Sequence, residues 1–582
     1  MTINSEDQIK QTFEFLKKPS LLLITLFAAA AITICCRTSE SFAPQAAAEQ
    51  AAAEQPAEAC KASLPFSKGV NFSSWFEAQS ARAIIFTAYT EQDFINAKSL
   101  GVEVIRLPIR LHDFTSGSPL YSLDPLFLQF LDQAVDWAEK HELYLILDNH
   151  SFDPVAPTAS DIGKILLPVW AQIAQRYKNR SSFILYEILN EPHGINSKLW
   201  AEIQGSVIKA IREIDPVHSI IAGGAGYNSI DELFNLPKYP YENIIYTFHF
   251  YDPYLFTHQG ETWGAAPNLR ALKGLPFPGD AHSMPKLPSA LKGTWIEKTF
   301  NSYKQSATVQ ALAKPLDKTV KFSNKHEGFP LFCGEFGVYI PNSLQEDRVR
   351  WYEAVTKLLD ERGIARTSWD YYGGFGIFKT PDGSSFENDL NTEVAAAMGF
   401  SPPVQKPAEK IREAFSLFDN YPITQFVKIA YWNCGLDLYH PNGNKYAIEW
   451  GNANRYGAFM FNFTKQVDWE YLSGQNYALT FTVKADKDAY FDVRFVNKED
   501  IPAIIPWRLF SRVKVAADGN WHNIRIPLNS MLEQGAWINA SQEWRNPQGK
   551  FSWANTAKLE FVAEEAAMAG INILFDTIKI EP

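Results

Sequence analysis

Three features of the sequence predict an α/β fold, a (β/α)8 TIM barrel followed by an all-β, jelly-roll-like sandwich. Short apolar stretches alternate with helical patterns from about residue 64 to 400. Polar residues recur at the carboxyl ends of nearly all these stretches. Beyond a Pro- and Lys-containing joint, "SPPVQKPAEK", the apolar residues switch to period two. Strand-then-helix units of this size close into a barrel whose strand C-termini share one mouth. A doubly wound open sheet is the alternative, and the recurring polar strand ends weigh against it.

The elements follow in order. "GVNFSSW" reads as the first strand with its exit loop, and "EQDFINAKSLG" as a short helix ending at Gly101. "VEVIRLPI" is the second strand. Asp124 and Pro125 then supply an N-cap and a first helical residue. Phe127, Phe130, Leu131, Ala134 and Ala138 hold that helix's apolar face at helical spacing. "LYLILDNH" is the third strand, with a helix around "LLPVWAQIAQRYK". "SSFILYEILNEP" is the fourth, and Trp200, Ile203, Val207, Ile211 and Ile214 mark the helix after it. "VHSIIAGG", "NIIYTFHFY", "FPLFCGEFG" and "ARTSWDYYGG" complete the eight strands. A Pro- and Gly-rich loop spans roughly 251–290, a helical region runs to about 326, and "RVRWYEAVTKLLDERG" is the last long helix.

The predicted organisation is a signal or membrane-anchor segment at 1–37, a low-complexity linker at 38–63, the barrel at 64–400, a linker at 401–416 and the sandwich at 417–582. Lys10, Lys17 and Lys18 precede an uncharged run at 19–36, at the short limit for crossing a bilayer. The charge bias keeps the N-terminal side in the cytoplasm and exports the rest. Signal anchor, lipoprotein at Cys35 and cleaved signal all stay open, so the exported chain is extracellular, periplasmic or attached to a membrane through 19–36. "AAAEQ" repeats in tandem at 46–55 as a spacer. The joint at 401–410 predicts separable folding units, in which the sandwich concentrates the protein on polymer without altering turnover. The competing expectation is that the sandwich buttresses the barrel. Of Trp432, Trp450, Trp469, Trp507, Trp537, Trp544 and Trp553, most are expected to pack inside and one or two to be exposed.

Of 582 residues, 46% are hydrophobic and 20% charged, which suits folded cores. The formal net charge of −11 argues against nucleic acid as a partner. It is compatible with a neutral polymer, and 16 Trp beside 41 Phe and 24 Tyr supply flat surfaces for stacking on sugars. The five Cys form no CxxC pair and no HExxH is present, so no metal is expected. Nothing calls for a structural calcium. A Cys60–Cys434 disulfide is compatible with the sequence but not indicated by it.

Asn71, Arg106, His150, Asn190 with Glu191, His249 with Tyr251, Glu335 and Trp369 lie at strand ends and would converge on one mouth. Glycosidic cleavage needs an acid for the leaving oxygen and a carboxylate for the oxocarbenium-like carbon. Glu191 and Glu335, on the fourth and seventh strands, could hold a sugar between them. A carboxyl separation of about 5–5.5 Å would make the reaction retaining.

"VIRLP", "LDNH", "LNEP", "HFYDP", "GEFG" and "SWDYY", in this order and each at a strand end, make residues 66–375 resemble glycoside hydrolase family five. That resemblance implies an endo-acting, retaining hydrolase of β-1,4-glucan (cellulose-type), monomeric, working on a polysaccharide or oligosaccharide without a cofactor. It implies Glu191 as acid/base and Glu335 as nucleophile. It places Asn190 on the sugar 2-hydroxyl, Arg106 beside Glu335 to keep it ionised, and His150, His249 and Tyr251 along the subsite. Trp369 would be the stacking floor. "HFYDPYLFTHQGETW" looks like the cellulase-type members, making Trp263, Tyr254 and His258 candidate substrate contacts. The C-terminal region diffusely resembles carbohydrate-binding modules. Mannan, xyloglucan and other β-glucans stay open as substrates. A catalytically silent glycan-binding protein is the alternative from another class. Arg106, His150, His249 and Trp369 each also read as core residues.

Overall fold

The computed structural model describes residues 59–582, apart from 265–266, 384, 501–502 and 540. The apolar leader and the tandem "AAAEQ" repeats lie outside the described residues. Among the described residues, no helix is long and apolar enough to cross a membrane.

Eight parallel strands close the predicted barrel. They are β1 (Lys68–Asn71), β2 (Val104–Ile109), β3 (Tyr144–Asn149), β4 (Ile184–Glu187), β5 (Ser219–Gly223), β6 (Ile244–Phe250), β7 (Leu331–Phe336) and β8 (Ala365–Ser368). The helix at Pro125–Lys140 starts as its sequence requires. Asp124 caps it by accepting from Leu126 N at 2.8 Å, and Pro125 takes the first turn, where an amide proton would have no partner.

Strand alternation explains why the interior is layered. Val104, Ile146, Leu185, Ile221, Ile245, Phe332 and Ala365 form an apolar floor with Phe66. Two residues further along a strand, the next side chain points the same way. On β2, β3 and β4 those residues are Arg106, Asp148 and Glu187, all fully or almost fully buried. The barrel thus passes from a greasy floor to a charged layer below its mouth.

The C-terminal region is a two-sheet antiparallel sandwich, with β9 (Phe415–Asp419), β10 (Tyr421–Pro422), β11 (Val427–Trp432), β12 (Gly435–Asn442), β13 (Lys445–Ala453) and β14 (Ala458–Phe463) leading the chain. The later strands are β15 (Ala478–Ala485), β16 (Ala489–Asn497), β17 (Trp507–Val515), β18 (His522–Pro527), β19 (Leu532–Ile538), β20 (Glu543–Arg545), β21 (Thr556–Val562) and β22 (Met568–Glu581). One sheet has the order β10-β9-β22-β13-β12, with β15 and β18 joined to it; the other runs β11-β14-β21-β16-β17-β19-β20. Rings meet between the sheets, Phe459 on Phe575 at 5.3 Å and Phe481 on Phe561 at 5.4 Å. Trp450, Trp469 and Trp507 are buried, while Trp432 and Trp544 are 54% and 44% exposed.

Two details depart from the sequence reading, and a third decides a pairing it left open. The first sandwich strand starts at Phe415, inside the segment expected to be linker. The joint itself is pinned to the barrel: Ser401 N donates to Leu100 O at 2.9 Å and Lys406 N to Glu387 O at 2.7 Å. The Cys60–Cys434 disulfide is not formed, because Cys434 is a free thiol donating to Ala458 O at 3.3 Å. The barrel and sandwich also share an aromatic seam. Phe130 packs on Tyr439 at 5.0 Å and Phe86 on Tyr421 at 5.3 Å, and the described residues form one compact unit.

Candidate active site

Arg106 organises the floor of the mouth. Its guanidinium donates twice to Glu187, at 2.7 and 2.9 Å, once to Glu335 Oε1 at 2.8 Å and once to Asn190 Oδ1 at 2.8 Å. Asp148 lies 3.0 Å from it. Burial alone would work against the charge, but the acids Asp148, Glu187 and Glu335 hold the guanidinium well above its ordinary pKa. It therefore stays a fixed cation, and its planar fork suits several carboxylates at once.

Glu335 is held at both oxygens. Oε1 accepts from Arg106, and Oε2 accepts from the Tyr251 hydroxyl at 2.9 Å. A bulge between β6 and β7 brings it there: Phe248 pairs with Cys333, the next residue, His249, pairs with Glu335, and Gly334 is the extra residue.

Glu191 is treated differently. It follows β4 in a left-handed backbone conformation, φ +44°, which is costly for a residue with a side chain. Its Oε1 meets His249 Nδ1 at 2.6 Å. Burial pushes the Glu191 carboxyl up to about 7. Burial also pushes His249 down to about 4, against the pull of Glu335, so this contact is a hydrogen bond to a neutral imidazole. One oxygen of each glutamate and a ring nitrogen of His249 lie within 4.8 Å of one another. A cation bound by this trio would compete with the Arg106 guanidinium already on Glu335.

His150 closes the ring. Its Nδ1 lies 2.7 Å from Asp148, and its Nε2 is 3.3 Å from Asn190 Nδ2. Burial would lower its pKa, but Asp148 outweighs this and raises it to about 9. Trp369 stacks flat on His150, with centroids 5.4 Å apart and planes 12° from parallel. The structure thus brings Asn190, Glu191, Arg106, His150, His249, Tyr251, Glu335 and Trp369 together. Trp263 touches neither glutamate; it is half exposed, edge-on to Tyr339 at 4.9 Å, in a rim with His258 and Tyr254.

Sequence reasoning missed Asp148, Glu187, Asp370 and Glu77. Asp370 accepts from Ser73 Oγ at 2.7 Å, and Glu77 Oε1 lies 3.9 Å from His150 Nε2. Asp148 and Glu187 carried a readable signal: each is a lone acid two residues beyond a floor residue of its strand. Glu77 carried none, since its loop has no periodicity.

Residues 66–374 match the family described as cellulase, glycosyl hydrolase family 5. The chain is similar to Endoglucanase C of Acetivibrio thermocellus, 29% identical over 319 residues that span 53% of this chain and 92% of that protein. It is similar to Cellodextrinase A of Ruminococcus flavefaciens, 27% identical over 312 residues, 51% of this chain and 83% of that one. Among solved structures, endoglucanase Cel5A of Thermotoga maritima aligns with 57% of this chain and 96% of its own, at 26% identity and a TM-score of 0.47.

Proposed function

This chain belongs to the cellulase family, glycosyl hydrolase family 5, and on that premise we propose that it is an endo-acting, retaining hydrolase of β-1,4-glucan. It is a cellulase-type glycoside hydrolase; the substrate, the stereochemistry and the residue roles are our reading. The observation that supports them most is the unequal setting of two neighbouring carboxyls. Glu335 is bound at both oxygens by Arg106 and Tyr251, while burial holds the Glu191 proton up to about pH 7.

In this reading Glu335 attacks the anomeric carbon as Glu191 gives its proton to the leaving oxygen, and the glycosidic bond breaks. Glu191, now ionised, takes a proton from water, whose oxygen attacks the anomeric carbon and releases Glu335. One oxygen of each glutamate lies within 4.8 Å of the other, which is compatible with the short carboxyl separation of a retaining pair. Neutral His249 engages Glu191 at Oε1 through Nδ1, and in this reading the acid proton sits on the other oxygen. Trp369 is the sugar floor, and Asn190 meets the 2-hydroxyl.

Reducing-end release from a soluble cellulose derivative and from glucomannan tests the reading, with viscosity loss reporting endo cleavage. Glu335→Gln is expected to lower kcat by about 10⁴-fold or more with the fold intact. Proton NMR of the first product is expected to show the β-anomer. Faster turnover of mannan or xyloglucan would reassign the substrate. A silent wild type that still binds glycan would leave a binding protein.

Two further parts of the reading concern the rest of the chain. Export through residues 1–37 predicts that the enzyme is absent from the cytosolic fraction. Glycan binding by the sandwich predicts that Trp432→Ala with Trp544→Ala weakens pull-down of the full chain on cellulose.

A further inference from the structure

One loop of the barrel is pinched between the sandwich and the active-site mouth. Residues 81–89 contain two 3-10 turns, Ala81–Ala83 and Phe86–Ala88. From the sandwich, the Tyr439 hydroxyl donates to Ile84 O and accepts from Phe86 N at 3.1 Å. Thr424 Oγ1 donates to Thr87 O, and Arg82 pairs with Asp437 at 2.6 Å. From the barrel, Trp75 Nε1 donates to Phe86 O at 2.7 Å and the Tyr89 hydroxyl to Ser73 O at 3.1 Å. The two polar groups of the Phe86 backbone are therefore divided, the amide held by the sandwich and the carbonyl by Trp75.

Trp75 and Ser73 belong to the turn at 72–77 that follows β1. This turn places Ser73 on Asp370 and brings Glu77 to 3.9 Å from His150, beside Trp369. Every step from the Tyr439 hydroxyl to that turn is a direct hydrogen bond.

We infer that Tyr439 is a positioning residue: through the loop at 81–89, the sandwich sets the place of the 72–77 turn, and of Glu77, on the sugar-binding mouth. The inference rests on the reading of this mouth as a glycan site. A sandwich that only stabilised the barrel would act through the seam as a whole. The seam supplies its own control, because the Tyr446 hydroxyl donates to Gln129 Oε1 at 2.8 Å in an exposed contact and not to the loop at 81–89, although the Gln129 helix itself packs on the turn through Phe127 and Trp137.

The test uses the full chain with Tyr439→Phe, Thr424→Val and, as control, Tyr446→Phe. Amide hydrogen exchange of 72–89 is read beside kinetics on soluble oligosaccharides. The two loop variants are expected to speed exchange across 72–89 and raise KM about three- to tenfold, the effect of one lost hydrogen bond, with a smaller change in kcat. Tyr446→Phe is expected to lower Tm while leaving the turn's exchange and KM unchanged. In the Tyr439→Phe background, Glu77→Gln is expected to cost at least about twofold less than in the wild type, because the two share one path. Unchanged exchange at 72–77 in both loop variants, or equal effects of Tyr446→Phe, overturns the inference. Thr424→Val carries the test if Tyr439→Phe fails to fold. A wild type that cleaves no β-glycan defeats the proposed function, while the exchange measurement still decides this one.

Discussion

In the proposed mechanism, Glu191 joins a burial penalty to the need for an acid. A carboxyl raised to about 7 binds its proton more tightly folded than unfolded. Stability from that proton is fully present below the ordinary carboxylate pKa and is lost as pH rises through about 7. Glu191→Gln is therefore expected to stabilise the fold more at pH 8 than at pH 4, by up to about 3 kcal/mol from the size of the shift, and to raise Tm accordingly. Thermal melts at the two pH values check it, and an equal shift at both refutes it. The same proton puts the alkaline limb of kcat/KM near 7, falling as Glu191 ionises. His150 has the same sign in a higher window. Raised to about 9 by Asp148 against its burial, it contributes stability below its ordinary pKa that is lost as pH rises through about 9. Asp148→Asn leaves burial opposed only by the charges of Glu77 and Glu335, so NMR titration is expected to find His150 well below 9. The variant is expected to cost about 3–5 kcal/mol near pH 6, because it breaks a buried charge network. At this scale the sequence was legible where polar residues ended strands. It was silent on pKa, because burial and partners come from the closed barrel.

At the scale of elements, the β6–β7 bulge decides whether two strand ends can cooperate. In a regular register without the bulge, His249 would pair with Gly334 and Phe250 with Glu335, turning the Glu335 side chain to the face opposite His249. A Cβ at Gly334 would lie 3.0 Å from Thr247 Oγ1 and 3.2 Å from His249 Nε2. Both neighbours are buried, so the strain falls on the ring that supports Glu191. Gly334→Ala is expected to destabilise by about 1–3 kcal/mol and to lower kcat about tenfold or more. Calorimetry and initial rates check it; wild-type kcat would show that the bulge does not set the acid's geometry. The eight strands could be read because each is a short apolar run closed by a polar residue, and the helix at Pro125–Lys140 because Asp124-Pro125 declares its start. The bulge could not be read, since "FCGEF" fits a regular strand as well. The aromatic seam was also hidden, because Tyr421, Tyr439 and Phe86 look like any other sandwich or loop rings until the two folds meet.

The whole molecule is governed by that seam. Residues 401–410 have the composition of a free joint, yet their backbone is tied to Leu100 and Glu387. Phe86 and Phe130 of the barrel are buried beside Tyr421 and Tyr439 of the sandwich. Cutting the chain near 410 would uncover the sandwich-facing sides of both phenylalanines, which keep each other and Trp137 as barrel partners, and leave Ile84 O and Phe86 N to water. Burying one aromatic side chain is worth about 1.5–3 kcal/mol, so two partly uncovered rings cost at most roughly 3–6 kcal/mol. For a barrel of this size that corresponds to a fall in Tm of roughly 5–10 °C. Loosening of the 72–77 turn is expected to lower kcat/KM on short soluble oligosaccharides as well as on insoluble glucan. A pure targeting role forecasts an unchanged Tm and a loss confined to insoluble substrate, as local concentration requires. Melting curves and paired kinetics of the full chain and of a chain ending at 410 separate the two. A truncated barrel that keeps its Tm and its rate on soluble oligosaccharides would show that the seam is a resting contact, and that the loop at 81–89 holds its shape unaided.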